Sequence, residues 1–212
     1  MALQETDLDE CHCDFIRQEA EKTGCYLCLA EPMYISQMGA KRFGRRAGPL
    51  IRSSVPPFEL DDKGSSDYMR VLKESLRWME GAVPSGTGSK YVIIVSLCGI
   101  AAASPDATKK QENARLIGAA LVRQAHFNDI PYYICTDLNE APDQCEITRA
   151  ITVQDWVHDL TREWLADEDA TVAPTYCKPQ VYEHMSGTGI TRIDTMMANE
   201  PGSNCVDNLG YG

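Results

Sequence analysis

The sequence predicts a mixed α/β protein, and three observations carry that reading. Tyr91–Leu97 and Tyr132–Cys135 are continuous apolar runs of the length of buried strands. Between them, Ala107–Asn128 repeats apolar residues at helical spacing, with Leu116, Ile117, Ala120, Leu121 and Ala125 on one face. Ahead of both runs, Asp67–Gly81 places Met69, Leu72, Leu76 and Met79 at the same spacing.

The remaining elements follow from local signals. Ala2-Leu3-Gln4 reads as the end of a short buried strand. Asp9–Thr23 reads as a helix with Phe15 and Ile16 on one face and Gly24 as its stop. Cys25–Leu29 is a strand. Ile35–Gly48, rich in glycine and basic residues, shows no period and reads as a loop. Pro49–Val55 is a strand stopped by Pro56-Pro57. Asp61–Ser66 and Pro84–Ser89 are turn and loop by composition. Asp155–Leu165 is expected to be helical, and Thr175-Tyr176 and Ile190–Met196 to be strands. There are no internal repeats. One domain over 1–200 is expected, followed by a polar tail, 201–212, without a core pattern.

The 212 residues, 43% of them hydrophobic, suffice for one domain with a substantial core. No apolar run approaches the ~18–20 residues that cross a bilayer. The N-terminus is acidic and lacks the basic and apolar regions of a secretory signal. The expectation is therefore an intracellular chain that does not enter a membrane, with a nuclear location open. The formal charge of -11 argues against a surface coated with nucleic acid. One local basic stretch remains: Lys41, Arg42, Arg45, Arg46 and Arg52, uninterrupted by acidic residues. It is either a solvated loop or a phosphate-contacting one. Nine scattered cysteines read as reduced thiols. Cys11, Cys13, Cys25 and Cys28 are zinc-competent in type, yet Cys25–Leu29 equally reads as a buried strand in which cysteine is a small apolar residue.

Polar groups at the ends of apolar strands are where α/β proteins place their sites. Glu5 follows Leu3-Gln4, Asp137 and Asn139 follow the run 131–135, and Asp194 follows Arg192-Ile193. Hard oxygen donors of this kind suit Mg²⁺ or Mn²⁺, which can polarise a phosphoryl oxygen and activate water. Each point alone is equally a turn or a helix cap.

Their order carries a resemblance. Leu3-Gln4-Glu5-Thr6 resembles the "LQET" motif of the endonuclease/exonuclease/phosphatase superfamily. Ile130–Asn139, followed by Pro142, resembles its "iPvIi-GDFN" segment. Thr191-Arg192-Ile193-Asp194 resembles "S-R-I-D", preceded by Pro174-Thr175-Tyr176, and Ala47–Ser54 resembles "GvaiLvrss". The resemblance covers nearly the whole chain in the correct order. It implies a DNase I-like fold, a four-layer sandwich of two β-sheets flanked by helices, and metal-dependent phosphoester hydrolysis. By matched position Glu5 would be a metal ligand. Asp137 would orient or activate the attacking water. Asn139 would hydrogen-bond the scissile phosphate, and Asp194 would orient a catalytic histidine. The segments are most similar to apurinic/apyrimidinic-type endonucleases and to endonuclease modules beside reverse transcriptases. The implied partner is nucleic acid, chiefly DNA, with Arg45, Arg46 and Arg52 on its backbone.

The pattern departs in four places. The strand that carries an asparagine before "LQET" and the terminal "SDH" segment have no counterpart, so the stretch reads as truncated at both ends. Cys98 stands where the family has the tyrosine of "NvYG". Thr136 replaces the glycine before the catalytic aspartate, which implies a β-branched side chain crowding the site. Two other functions stay open: a catalytically dead domain that binds protein or nucleic acid, and a phosphatase for a small phosphoester.

Overall fold

The structure is a computed structural model that describes residues 2–8, 10–29, 33–37, 40–53, 56–60, 66–85, 91–100, 106–138, 145–154, 156–160, 176–177, 190–191 and 194–207. The strands in chain order are β1 (Ala2–Leu8), β2 (Cys25–Leu27), β3 (Met33–Gln37), β4 (Ala40–Arg52), β5 (Trp78–Pro84), β6 (Tyr91–Cys98), β7 (Tyr132–Asp137), β8 (His158–Asp159), β9 (Tyr176–Cys177), β10 (Ile190–Thr191) and β11 (Asp194–Ala198). The helices are α1 (Glu10–Lys22), α2 (Asp67–Ser75), α3 (Ala107–Ala125), α4 (Glu146–Val153) and α5 (Glu200–Asp207).

Two sheets dominate. In the first, the long strand β4 pairs antiparallel with β1, β2 and β3. The second has the order β5-β6-β7-β11-β8. There β6 and β7 are parallel, joined through α3, and the other neighbours are antiparallel. A short ribbon, β9 with β10, stands apart.

Alternation along the strands of the second sheet sorts its two faces. Ile93, Val95, Leu97, Tyr132, Ile134 and Met197 point to one side, where they meet Met69 and Leu72 of α2 and Leu116, Ile117 and Ala120 of α3. The other side looks onto the first sheet: β1 packs against β6 and β7, and β4 against β5 and β6. Gly81 shows how close that approach is. A Cβ there would lie 3.2 Å from both Cys28 Sγ and Ile51 Cδ1, so the missing side chain makes room for the apolar groups of the opposite sheet.

Four sequence expectations change. The basic stretch is no loop: Lys41, Arg42, Arg45, Arg46 and Arg52 all lie on β4, and Lys41, Arg42, Arg45 and Arg52 are in ladder contact with β1, β2 or β3. Strand pairing on both sides of β4 overrides its weak period. The expected helix 67–81 is cut short. It ends at Ser75, Leu76 takes the left-handed conformation (φ 54°) with its N–H on Lys73 O, and Trp78–Pro84 pairs as β5 along the length of β6. Spacing alone could not exclude this, because Met79 fits either period. In the region expected to be helical from Asp155, His158–Asp159 instead pairs with β11, and a helix, α4, lies earlier; Asp155 and residues 161–165 lie outside the described residues. Finally, the expected tail begins with α5. Its anchor is buried Asn199, whose Oδ1 accepts from Tyr132 N–H and Gly202 N–H at 3.0 Å each. Asn199 Nδ2 donates to the carbonyls of Phe127 and Ile130, and Tyr133 OH donates to Gly202 O. The expected turn at 61–65 and most of the loop after Pro84 lie outside the described residues.

Candidate functional site

Parallel strands end together, so β6 and β7 deliver Cys98-Gly99 and Asp137-Leu138 to the same edge of the second sheet. Because β11 runs antiparallel to β7, its first residue arrives there too. Asp194 stands directly opposite Asp137 in the ladder, as Cys98 does on the other side. One strand further out, Cys98 N–H donates to Arg77 O at 2.8 Å, which continues the β5 register by one position. Arg77, Cys98, Asp137 and Asp194 therefore form one row across four strands. Their ladder neighbours Trp78 and Leu97 pack in the helix-side core, so the row lies on the face that looks onto the first sheet. That sheet contributes β1, which carries Glu5 and packs against β6 and β7.

The strand ends are held by a compact set of bonds. Gly99 N–H donates to Asp137 O at 2.6 Å. A Cβ on Gly99 would fall 2.4 Å from Leu138 O and 2.8 Å from Asp137 O, so no other residue fits this approach. Asn113, fully buried on α3, accepts from Ile100 N–H and donates to Leu138 O, both at 2.9 Å. One side chain thus joins the segment after β6 to the segment after β7. Arg77 Nη1 donates to Gly99 O at 2.7 Å and reaches Cys98 Sγ at 3.6 Å.

Neither Asn113 nor Arg77 was singled out from the sequence. Asn113 had a signal: it lies three and four residues before Leu116 and Ile117, a polar residue on the apolar face of a helix. Arg77 had none, because its strand was read as helix.

Thr136 does not crowd this face. It pairs with Leu97 and Thr195 in the ladders and turns to the helix side at 3% exposure, where its hydroxyl has no hydrogen-bond partner.

The structure brings Asp137 and Asp194 together in the ladder, and β1, which carries Glu5, packs against β6 and β7. Asn139 lies outside the described residues, as does Arg192. Arg45 and Arg46 lie on β4 and Arg52 pairs with Cys25 at the end of that strand; their side chains are not among those described. Among the described residues no three His, Cys, Asp or Glu side chains gather as a metal group. For the cysteines, Cys11 is exposed, Cys13 is buried, and burial raises the pKa of the Cys28 thiol. The side chains of Glu5 and Asp194 are not among those described. The backbone places Asp137 and Asp194 opposite each other at one edge of the sheet.

No family model matches the chain, and no curated protein matches its sequence. Solved structures match its fold. An AP endonuclease from Archaeoglobus fulgidus superposes with a TM-score of 0.58 at 14% identity, over 94% of this chain and 76% of that one. The 3' phosphatase NExo from Neisseria, bound to product DNA hairpin, gives 0.55 at 15%, over 94% and 75%. An endonuclease/exonuclease/phosphatase family protein from Leptotrichia buccalis gives 0.55 at 12%, over 94% and 75%. Helices on one face of the five-stranded sheet and a second sheet on the other thus meet a common architecture, and this chain has the DNase I-like fold of the endonuclease/exonuclease/phosphatase proteins.

Proposed function

We propose that this chain is a metal-dependent phosphodiester hydrolase acting on nucleic acid. The observation that carries the reading is the register of Asp137 against Asp194, at the edge where β6 and β7 end and β1 packs alongside. Two like charges directly opposite in a ladder are unfavourable unless a cation or a proton offsets them. A divalent cation suits this edge, because Glu5, Asp137 and Asp194 supply the hard oxygen chemistry that Mg²⁺ and Mn²⁺ prefer. When bound, the ion supplies Lewis-acid polarisation of a phosphoryl oxygen. The chain's own residues do the rest. Glu5 would hold the ion, and Asp137 would orient and deprotonate the attacking water. Asn139 would hydrogen-bond the phosphate as negative charge develops on it, and Asp194 would orient a catalytic histidine. The buried Asn113 and the Gly99–Asp137 contact would keep these groups in place, since catalysis of this kind depends on positioning. Nucleic acid is favoured as substrate because the structures that share the fold include an AP endonuclease and a phosphatase bound to DNA.

The test is nicking of supercoiled plasmid and of an abasic-site duplex in Mg²⁺ or Mn²⁺, with Asp137→Asn as the comparison. Wild-type cleavage that falls by about 10²–10⁴-fold in the variant is the expected result. No cleavage by the wild type in either metal, together with a melting temperature indifferent to both, would replace hydrolysis with a binding role.

A further inference from the structure

The end of the second sheet away from the carboxylates carries a cleft. Tyr132 opens β7 there and Asn199 follows β11, about 16 Å along the strands from Asp137 and Asp194. The cleft has a volume of about 310 Å³ and lies between the last turns of α3, the start of α5 and the segment before β8. Leu121, Val157 and Pro201 give it apolar walls. Trp156 also lines it and is 69% exposed, so the indole stands at the mouth. Exposed Val122 continues the apolar surface along α3, one helical turn from Ala125 on the cleft wall. A tryptophan and a valine beside an apolar cleft form a patch, where either alone would be ordinary.

What the two buried amides and the carboxylate of this cleft leave for a ligand is acceptor capacity. Asn199 is spent, with its Oδ1 and Nδ2 each making two bonds inside the protein. Gln124 is half-spent. It lines the cleft at 2% exposure, and its Nε2 donates to Tyr132 O at 3.3 Å, but its Oε1 accepts no bond. That oxygen is not sealed off, and on a side chain this buried its access is through the cleft. A buried amide oxygen without a donor is costly, so a ligand that brings an N–H gains by supplying it. Glu200 is the one charged residue among the described lining, and no Lys, Arg or His joins it. Hydrogen bonds with His158 (3.0 Å) and Asn204 (3.3 Å) hold its carboxyl below the usual range, so it is ionised. Those two bonds leave about two of its lone-pair sites open.

An aromatic face, an unused amide oxygen and a carboxylate call for a flat cation rich in N–H groups. A guanidinium meets all three needs, stacking on the indole while it donates to both acceptors. An ammonium matches the charge but is more strongly hydrated and has no flat face. The exposed surfaces of Trp156 and Val122 extend past the cleft and need apolar cover, which the stem of an arginine and its neighbours in a chain supply and a free guanidinium does not. We propose that this cleft is a docking site for an arginine side chain of a partner polypeptide, its guanidinium donating to Gln124 Oε1 and Glu200 against the Trp156 indole, with apolar residues of the partner over Val122. The net charge of -11 favours the approach of such a basic segment. The proposal is independent of hydrolysis, because none of these residues belongs to the carboxylate edge.

The test is an NMR titration of the ¹⁵N-labelled chain with the capped tripeptide Ac-Leu-Arg-Leu-amide, its lysine counterpart and benzamidine, at low and high salt. Wild type is compared with Trp156→Ala, Gln124→Met, Glu200→Gln and, as a control, Glu112→Gln, an exposed carboxylate nearer the other end of α3. Saturation transfer to the peptide reads binding by each variant, and the indole N–H of Trp156 locates it. The arginine peptide is expected to move the Trp156 indole and the Glu200 and Gly202 amides, and to bind several-fold more tightly than the lysine peptide. Trp156→Ala should weaken it about fivefold, and Gln124→Met about tenfold. Glu200→Gln should weaken it at low salt, and Glu112→Gln should leave it unchanged. Tyr132 O keeps its bond from Asn199 N–H when Gln124 is replaced. Should Gln124→Met still fold poorly, Trp156→Ala, at an exposed position, decides alone. Equal response to both peptides would reduce the effect to a general attraction of cations and overturn the proposal, as would a Trp156 indole that neither peptide moves. An indole that moves with benzamidine alone would overturn it in favour of a free amidine. One that shifts with the concentration of the chain itself, without peptide, would make the cleft a contact between copies and overturn it too.

Discussion

Gly99 is the residue on which the site's geometry turns. Its N–H reaches Asp137 O, and the space a Cβ would need is filled by backbone, which cannot swing aside as a side chain would. Gly99→Ala is therefore expected to cost about 1–3 kcal/mol in a urea melt and to reduce cleavage further, by moving Leu138 and with it the residue that follows. A variant with wild-type stability would mean that this approach is looser than it looks here. Asn113 complements the glycine from the helix side: one amide spans two strand ends, leaving neither Ile100 N–H nor Leu138 O unpaired inside the protein. Asp137 was readable in the sequence because it ends an apolar run, and Asp194 through the segment around it, although the structure places it at the start of β11. Their partners were not, since Asn113 and Arg77 reach the site only through packing.

At the scale of elements, α3 is tied to the second sheet by a buried ion pair. Arg123 Nε donates to Glu80 Oε2 at 3.2 Å, Tyr132 OH donates to the same oxygen at 3.1 Å, and the guanidinium lies over the Phe127 ring. Helix α3 is thereby joined to β5 and to β7, the strand that carries Asp137. Removing one partner leaves an uncompensated charge, whereas replacing both removes the problem. Glu80→Ala is expected to destabilise by about 3–5 kcal/mol, and Glu80→Leu with Arg123→Met by much less. Thermal unfolding of the two variants side by side decides this, and equal losses would show that shape rather than charge matters there. Elements were legible where apolar periodicity was long, as in β6 and α3. They were not in β5 or in β4 before Pro49, whose residues are strands because other strands lie beside them.

For the whole molecule, burial sets an upper pH limit. Burial and the adjacent Glu80 carboxylate raise the Tyr132 phenol well above its ordinary range, and burial pushes Tyr133 to about 12. Both groups are neutral in the folded chain at a pH where the unfolded chain would ionise them. Their contribution is fully present below the ordinary tyrosine pKa near 10 and falls as pH rises from there, that of Tyr133 being lost by about 12. Melting temperature should fall across that window. Tyr133→Phe should soften the decline, and an unchanged decline in that variant would contradict it. The two tyrosines face opposite sides of β7, so the limit is a property of both layers rather than of one pocket.

The sequence by itself determined that this is an α/β protein, that apolar runs form the strands of its centre, and that Asp137 stands where one of those runs ends. Those features depend on local periodicity and on the chemistry of residues next to one another. Tertiary structure alone decided that Asp137 faces Asp194 in register, that Thr136 turns away from them, and that Arg77 enters their row. A one-residue slip in any of those ladders would exchange the two faces, and register is set by pairing between strands far apart in the chain.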